Sequence, residues 1–176
     1  MKIIVGLCLA AAAGVLHAQH HPYAGQESRD LKALSAEEIE QYRAGAGMGY
    51  AKAAELNHFP GPMHALELAE KLGLSAEQRA ATKRLMDAHK AEARAIGSRL
   101  VHAEQRLEAL FRRGNIEEDE LAKAVREAAA LRGEYRLSHL ETHRGMRGLL
   151  TDAQIARYDE LRGYAKPAGG KDAHRH

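Results

Sequence analysis

Tryptophan is absent from these 176 residues, phenylalanine occurs twice and cysteine once. A lone thiol excludes an internal disulfide, so a small protein working in an oxidising compartment would have to be held by packing, by self-association or by metal. Aromatic and β-branched residues are too few to favour a sheet. Ala, Leu, Glu, Arg and Lys, the strong helix formers, are plentiful instead. Neither sign of charge prevails, with 26 Lys and Arg against 24 Asp and Glu, which removes the electrostatic case for nucleic acid. Charges of both signs are spread along the chain, as on a solvated helical surface. Pro22, Pro60, Pro62 and Pro167 fall between helical stretches, which avoids the cost of proline inside a helix. Composition predicts an all-α protein, and the length suits one domain.

Long apolar runs are missing too, with one exception. Lys2 is followed by uninterrupted apolar sequence from Ile3 to Leu16, then by His17-Ala18 and the polar Gln19-His20-His21. A positive start, an apolar core and a small exit residue form the pattern of a secretory signal peptide over residues 1–18. The run is shorter than the ~20 residues a spanning helix needs, so stable membrane insertion is not expected. Cys8 follows Gly6-Leu7 with no small residue beside it, which argues against lipidation. Cleavage after Ala18 removes Lys2 and the only cysteine, leaving 25 basic and 24 acidic side chains.

One local signal occurs three times: Leu34-Ser35-Ala36-Glu37-Glu38, Leu74-Ser75-Ala76-Glu77-Gln78 and Leu150-Thr151-Asp152-Ala153-Gln154. In each, a hydroxyl can accept from the backbone N–H three residues on while the Glu or Gln there reaches back, a capping box that starts a helix. The leading leucine can staple onto Ile39 in the first copy and Ile155 in the third, but meets Arg79 in the second. Helices are expected at about 35–44, 50–57, 63–72, 76–112, 117–148 and 152–162, broken by Gly45-Ala46-Gly47-Met48-Gly49, Phe59-Pro60-Gly61-Pro62, Gly73 and Gly114-Asn115. Gly163 suits the left-handed residue after the last one.

The two long helices carry most of the argument. Leu85, His89, Glu92, Ile96, Leu100, Ala103, Leu107 and Leu110 recur at steps of three and four, as do Leu121, Val125, Ala128, Leu131 or Arg132, Tyr135, His139, Thr142, Met146 and Leu149. A turn as short as Gly114-Asn115 forces the pair antiparallel. At 1.5 Å per residue the first is roughly 55 Å long, so the predicted shape is an extended hairpin. Two stripes interrupted by polar residues need further cover, from the short helices or from a second copy in a homodimer. Residues 19–30 and 165–176, short, polar and rich in His, Gly or Lys, read as flexible ends.

Candidate chemistry is sparse. The Gly45, Gly47, Gly49 cluster has neither a preceding strand nor the spacing of a phosphate-binding loop, and no Gly-Lys-Ser/Thr sequence occurs. His139 and His143 stand one helical turn apart. Reflection about Gly114-Asn115 places His89 opposite residue 140, so His89, His139 and His143 are the candidate ligands for zinc, copper or nickel, with Glu92 or water completing the shell. The bland alternative is a set of imidazoles hydrogen-bonded along an interhelical seam. The zinc-protease arrangement H-E-x-x-H is missing. His20, His21, His174 and His176 could hold metal loosely at the ends. With no cysteine left after cleavage and no triad context around Ser98 or Ser138, an enzyme is not expected.

Leu150-Thr151-Asp152-Ala153-Gln154 carries an L-T-x-x-Q motif, and Leu74, Ser75 and Gln78 repeat it with Ser for Thr. Two such motifs flanking a helical hairpin, behind a leader, resemble the periplasmic Spy/CpxP family over roughly residues 63–164. The resemblance implies a cradle-shaped homodimer of long helices in the periplasm, acting in envelope stress without ATP. It implies either binding of unfolded client proteins or modulation of an envelope sensor protein, with metal-binding relatives as the alternative. The N-terminal extension, residues 19–62, and the scarcity of aromatics depart from the small chaperone members.

Overall fold

Residues 22–165 are described here, from a computed structural model. The leader, its cleavage point and the histidines of both ends lie outside them.

The regular structure of these residues is wholly helical: α1 (Ala36–Ala44), α2 (Lys52–Glu55), α3 (Pro62–Glu67), α4 (Ala76–Arg113), α5 (Glu118–Leu149) and α6 (Asp152–Arg162). All three capping boxes form, at Ser35 with Glu38, Ser75 with Gln78 and Thr151 with Gln154. Each satisfies amide groups that the first turn of a helix leaves without partners. Glu38 is held below the usual carboxylate range chiefly by the Ser35 backbone N–H, then by its hydroxyl. Where the second copy has Arg79 in place of a staple, the guanidinium donates to the Leu74 carbonyl at 3.1 Å. Left-handed glycines end three helices, Gly45 at φ 69°, Gly114 at φ 79° and Gly163 at φ 73°.

The short elements depart from expectation. Only Lys52–Glu55 of the stretch expected at 50–57 is regular helix. α3 stops at Glu67 rather than near residue 72, because the Ala69 amide bonds to Leu66, three residues back, tightening the chain toward Gly73 at φ 61°.

α4 and α5 lie antiparallel, tied along their edges by Arg99–Glu134 (3.2 Å), Arg106–Glu127 (2.6 Å) and Arg132–Glu104 (2.7 Å). The first two pairs are solvent-exposed and each contributes at most about 1 kcal/mol. Burial along the seam does more. Ile96, Leu100, Val101, Ala103, Ala128, Leu131 and Tyr135 form one core with Leu31, Leu34 and Tyr42 of the N-terminal section. Leu131, not Arg132, is the buried member of the expected pair. Near the open end of the hairpin, Met146 and Tyr158 close on Ala65, Ala69, Leu72 and Leu74 in a second core.

The stripes thus take their cover from the N-terminal section as well as from each other. Full burial of a side chain such as Leu31 or Leu34 is worth about 1.5–3 kcal/mol, and Lys32 adds a 2.8 Å ion pair to Glu108. α1 comes close enough to α4 that a Cβ on Gly97 would lie 2.0 Å from the Tyr42 carbonyl oxygen. Cover is incomplete. Val125, on the expected inner stripe, is 47% exposed, and Phe111 is 59% exposed, although Lys32 carries the N-terminal section as far as Glu108.

Candidate functional site

The two sequence motifs meet at the open end of the hairpin. Gln78 Nε2 donates to Gln154 Oε1 at 2.9 Å, and Gln154 Nε2 donates to Gln78 Oε1 at 3.0 Å. Each oxygen also accepts from its own N-cap amide, Ser75 or Thr151, at 3.0 Å. The remaining amide hydrogens go to the carbonyls of Leu149 (2.8 Å) and Gly73 (3.4 Å). Those two residues each stand two positions before a cap, so the arrangement repeats itself about a local two-fold. A primary amide has two donor hydrogens and a carbonyl oxygen with two lone pairs, and both glutamines use the full set. Leu74, first residue of its motif, is buried in the core there, while Leu150 packs partly buried against it. The motif is therefore a structural clasp, and its Gln cannot be replaced by the equally good capping residue Glu without losing donors.

A histidine cluster lies farther along the seam. His89 Nε2 and His139 Nδ1 are 3.0 Å apart, and His89 Nδ1 is 3.1 Å from Ser138 Oγ. Ser138 Oγ–H donates to the Glu92 carboxylate at 3.1 Å, so its oxygen must accept from His89 Nδ1–H. His89 Nε2 then carries a lone pair and accepts from His139 Nδ1–H. That leaves His139 Nε2, which is buried and has no hydrogen-bond partner. Burial, then the neighbouring His89, lowers His139 to about 4, and burial lowers His89 in the same direction. Tyr50 stacks on His139 at 6.2 Å and Tyr135 packs at 4.8 Å, so the scarce aromatics gather here. Tyr135 also donates to the Ala46 carbonyl at 2.6 Å, pinning the glycine-broken loop.

Reflection about the turn thus brings His89 against His139, but His143 engages a different partner. Its Nδ1 donates to the Phe59 carbonyl at 2.8 Å, with Glu55 at 3.4 Å. Among the described residues, no three His, Cys, Asp or Glu side chains come together closely enough to hold a metal ion. His143's bond to the Phe59 carbonyl occupies Nδ1 and leaves Nε2, but the three imidazoles are not drawn into one donor set in this structure.

Several contributors carry no signal in sequence. Glu55 accepts from Tyr158 (2.6 Å) and Tyr164 (3.1 Å), and the buried Asp159 holds His58 at 2.6 Å. These contacts join α6 and the residues just after it to α2 and the segment that follows α2. Only their distance in sequence hides them.

An apolar groove opens along the hairpin, about 470 Å³ in volume, with Leu107, Val125 and Ala129 on its walls, Arg132 and Arg136 beside them and Tyr50 of the N-terminal section at its border. It is a partly covered stretch of the α4–α5 stripe.

The LTXXQ motif family protein description matches residues 62–162. This chain belongs to the LTXXQ motif family. No curated protein and no solved structure matches it. The match spans the clasped hairpin and α6 and leaves out α1 and α2, so the N-terminal cover lies outside the family region. No described helix is long and apolar enough to cross a membrane.

Proposed function

We propose that this family member is a periplasmic, ATP-independent stress protein that binds unfolded segments of other proteins or modulates an envelope-stress sensor. The observation that carries this reading is the groove along the hairpin. There the apolar stripe is incompletely covered, with Val125 47% exposed beside Arg132 and Arg136. Apolar contacts flanked by cations give weak, adaptable binding to partly unfolded chains, and contiguous exposed apolar surface commonly marks an interaction site. The reading is of a binding protein rather than an enzyme, exported by the leader and working as a homodimer.

Suppression of aggregation tests it. The mature chain, at near-stoichiometric amounts, is expected to slow light-scattering growth of a chemically denatured model protein, and an unchanged time course would refute the client-binding form. A metal sensor or buffer is the weaker reading. It draws support from the His89–His139 contact but requires the three imidazoles to draw together. Calorimetric titration with zinc, copper and nickel, repeated on His139→Ala/His143→Ala, separates the two.

A further inference from the structure

A second concavity, about 550 Å³, lies between the glycine-broken loop, α2 and the hairpin, on residues other than those of the client groove. Its volume falls within the ordinary range of small-molecule sites. We propose that this cleft binds an amphiphilic carboxylate, a molecule with an apolar chain and one anionic head.

The walls select the chain. Met48, Met63 and Met86 converge with Leu56 and Pro62, although the protein has only five methionines. Unbranched thioether side chains adapt to an apolar ligand of variable shape. Met63 at 49% and Leu56 at 51% exposure are left without cover, so a ligand there would remove apolar surface from water.

The polar groups select the head. Lys52 and Lys90 line the cleft and make no ion pair among the described residues, and Arg162 lies there with them. The carboxylate facing them, Glu55, is already engaged by Tyr158, Tyr164 and His143. The surplus is positive, which favours an anion and disfavours a metal cation. Among the described residues, Arg162 Nε is a buried polar atom left without a hydrogen bond, and Arg162 lines this cleft. Arg162 Nε is a donor whose near acceptor, Glu55 Oε1, is 3.6 Å away. A buried unpaired donor costs about 1–3 kcal/mol, a penalty that an anionic oxygen would relieve.

One wall, from Ala44 to Leu56, lies outside the matched family region. The cleft is thus something the N-terminal section adds to the hairpin, and the inference does not rest on client binding at the groove.

Isothermal titration of the mature chain with decanoate, 1-decanol and decyltrimethylammonium tests the proposal. Decanoate should saturate at one site per chain, and the alcohol and the ammonium should bind about tenfold more weakly or not at all. Lys52→Ala/Lys90→Ala should weaken decanoate about tenfold. Leu56→Glu, an exposed substitution placing negative charge in the cleft, should abolish binding while the melting temperature stays within roughly 2 °C. Absence of saturable decanoate binding would overturn the proposal. So would equal affinity for the ammonium, indifference to both variants, or saturable zinc or copper binding lost in His139→Ala without any decanoate binding.

Discussion

Gln78 and Gln154 donate to one another across the open end of the hairpin, at 2.9 and 3.0 Å, while each still closes the capping box of its own helix. One residue type thereby serves local helix initiation and long-range closure. A carboxylate serves the first as well as an amide does, but not the second. This accounts physically for glutamine at the fifth position of a motif whose other members read as an ordinary helix start.

Replacing Gln154 by Glu should separate the two roles. The capping acceptor for Thr151 N–H survives, while both donors are lost and a carboxylate faces Gln78 Oε1. Urea denaturation should show a loss of about 1–3 kcal/mol. Combining it with Gln78→Ala should give a coupling energy of about 1 kcal/mol. Strict additivity would show that the amide pair contributes nothing.

Gly97→Ala should be destabilising although alanine is the better helix former. The gain in propensity is about 1 kcal/mol, but the added carbon would lie 2.0 Å from the Tyr42 carbonyl oxygen, a backbone atom that moves only if α1 moves. Overpacking of this kind costs about 1–3 kcal/mol. The expected readouts are a lower denaturation midpoint and faster amide exchange in Ala36–Ala44. Unchanged exchange there would mean that α1 is not seated on Gly97.

Acid should weaken the fold through His139. An unfolded histidine takes up its proton near pH 6.5, whereas the folded His139 is lowered to about 4 by burial and then by His89. Between those values the unfolded state binds more protons, so stability is complete above pH 6.5 and declines as pH falls toward 4. Between pH 7.5 and 5.0 the wild type should lose about 1–2 kcal/mol more than His139→Gln in parallel urea titrations. Equal losses would remove His139 as the responsible group.

If the groove along the hairpin receives unfolded segments, Val125→Glu should impair aggregation suppression without unfolding the protein. Val125 is 47% exposed, and surface changes of this kind usually shift stability by about 0.5 kcal/mol or less. The expected result is at least a roughly threefold rise in the amount needed for half-suppression, corresponding to about 0.65 kcal/mol of binding. Suppression equal to wild type would place client binding elsewhere.

Much of this architecture is legible in one dimension because its causes are local. A hydroxyl and an acceptor three residues apart make a cap wherever they fall, which is why Ser35, Ser75 and Thr151 all start helices where spacing predicts. Apolar steps of three and four, with a turn only a few residues long, leave antiparallel pairing as the sole closure. The same reflection placed His89 against residue 140, one position from its partner His139.

Contacts between segments joined by flexible connections obey no such rule. Val125 and Tyr135 share one periodic stripe, yet Val125 is exposed and Tyr135 buried, because Tyr42 and Tyr50 of the N-terminal section pack against Tyr135. His143 has the helical spacing of a ligand beside His139, but the Phe59–Pro62 turn passes close by and takes its Nδ1. The glutamines are readable as caps from their neighbours, while their mutual bond depends on how the hairpin ends align. Short-range hydrogen bonding and periodicity are encoded within a few residues, whereas the cover, the clasp and the cleft depend on where distant segments land.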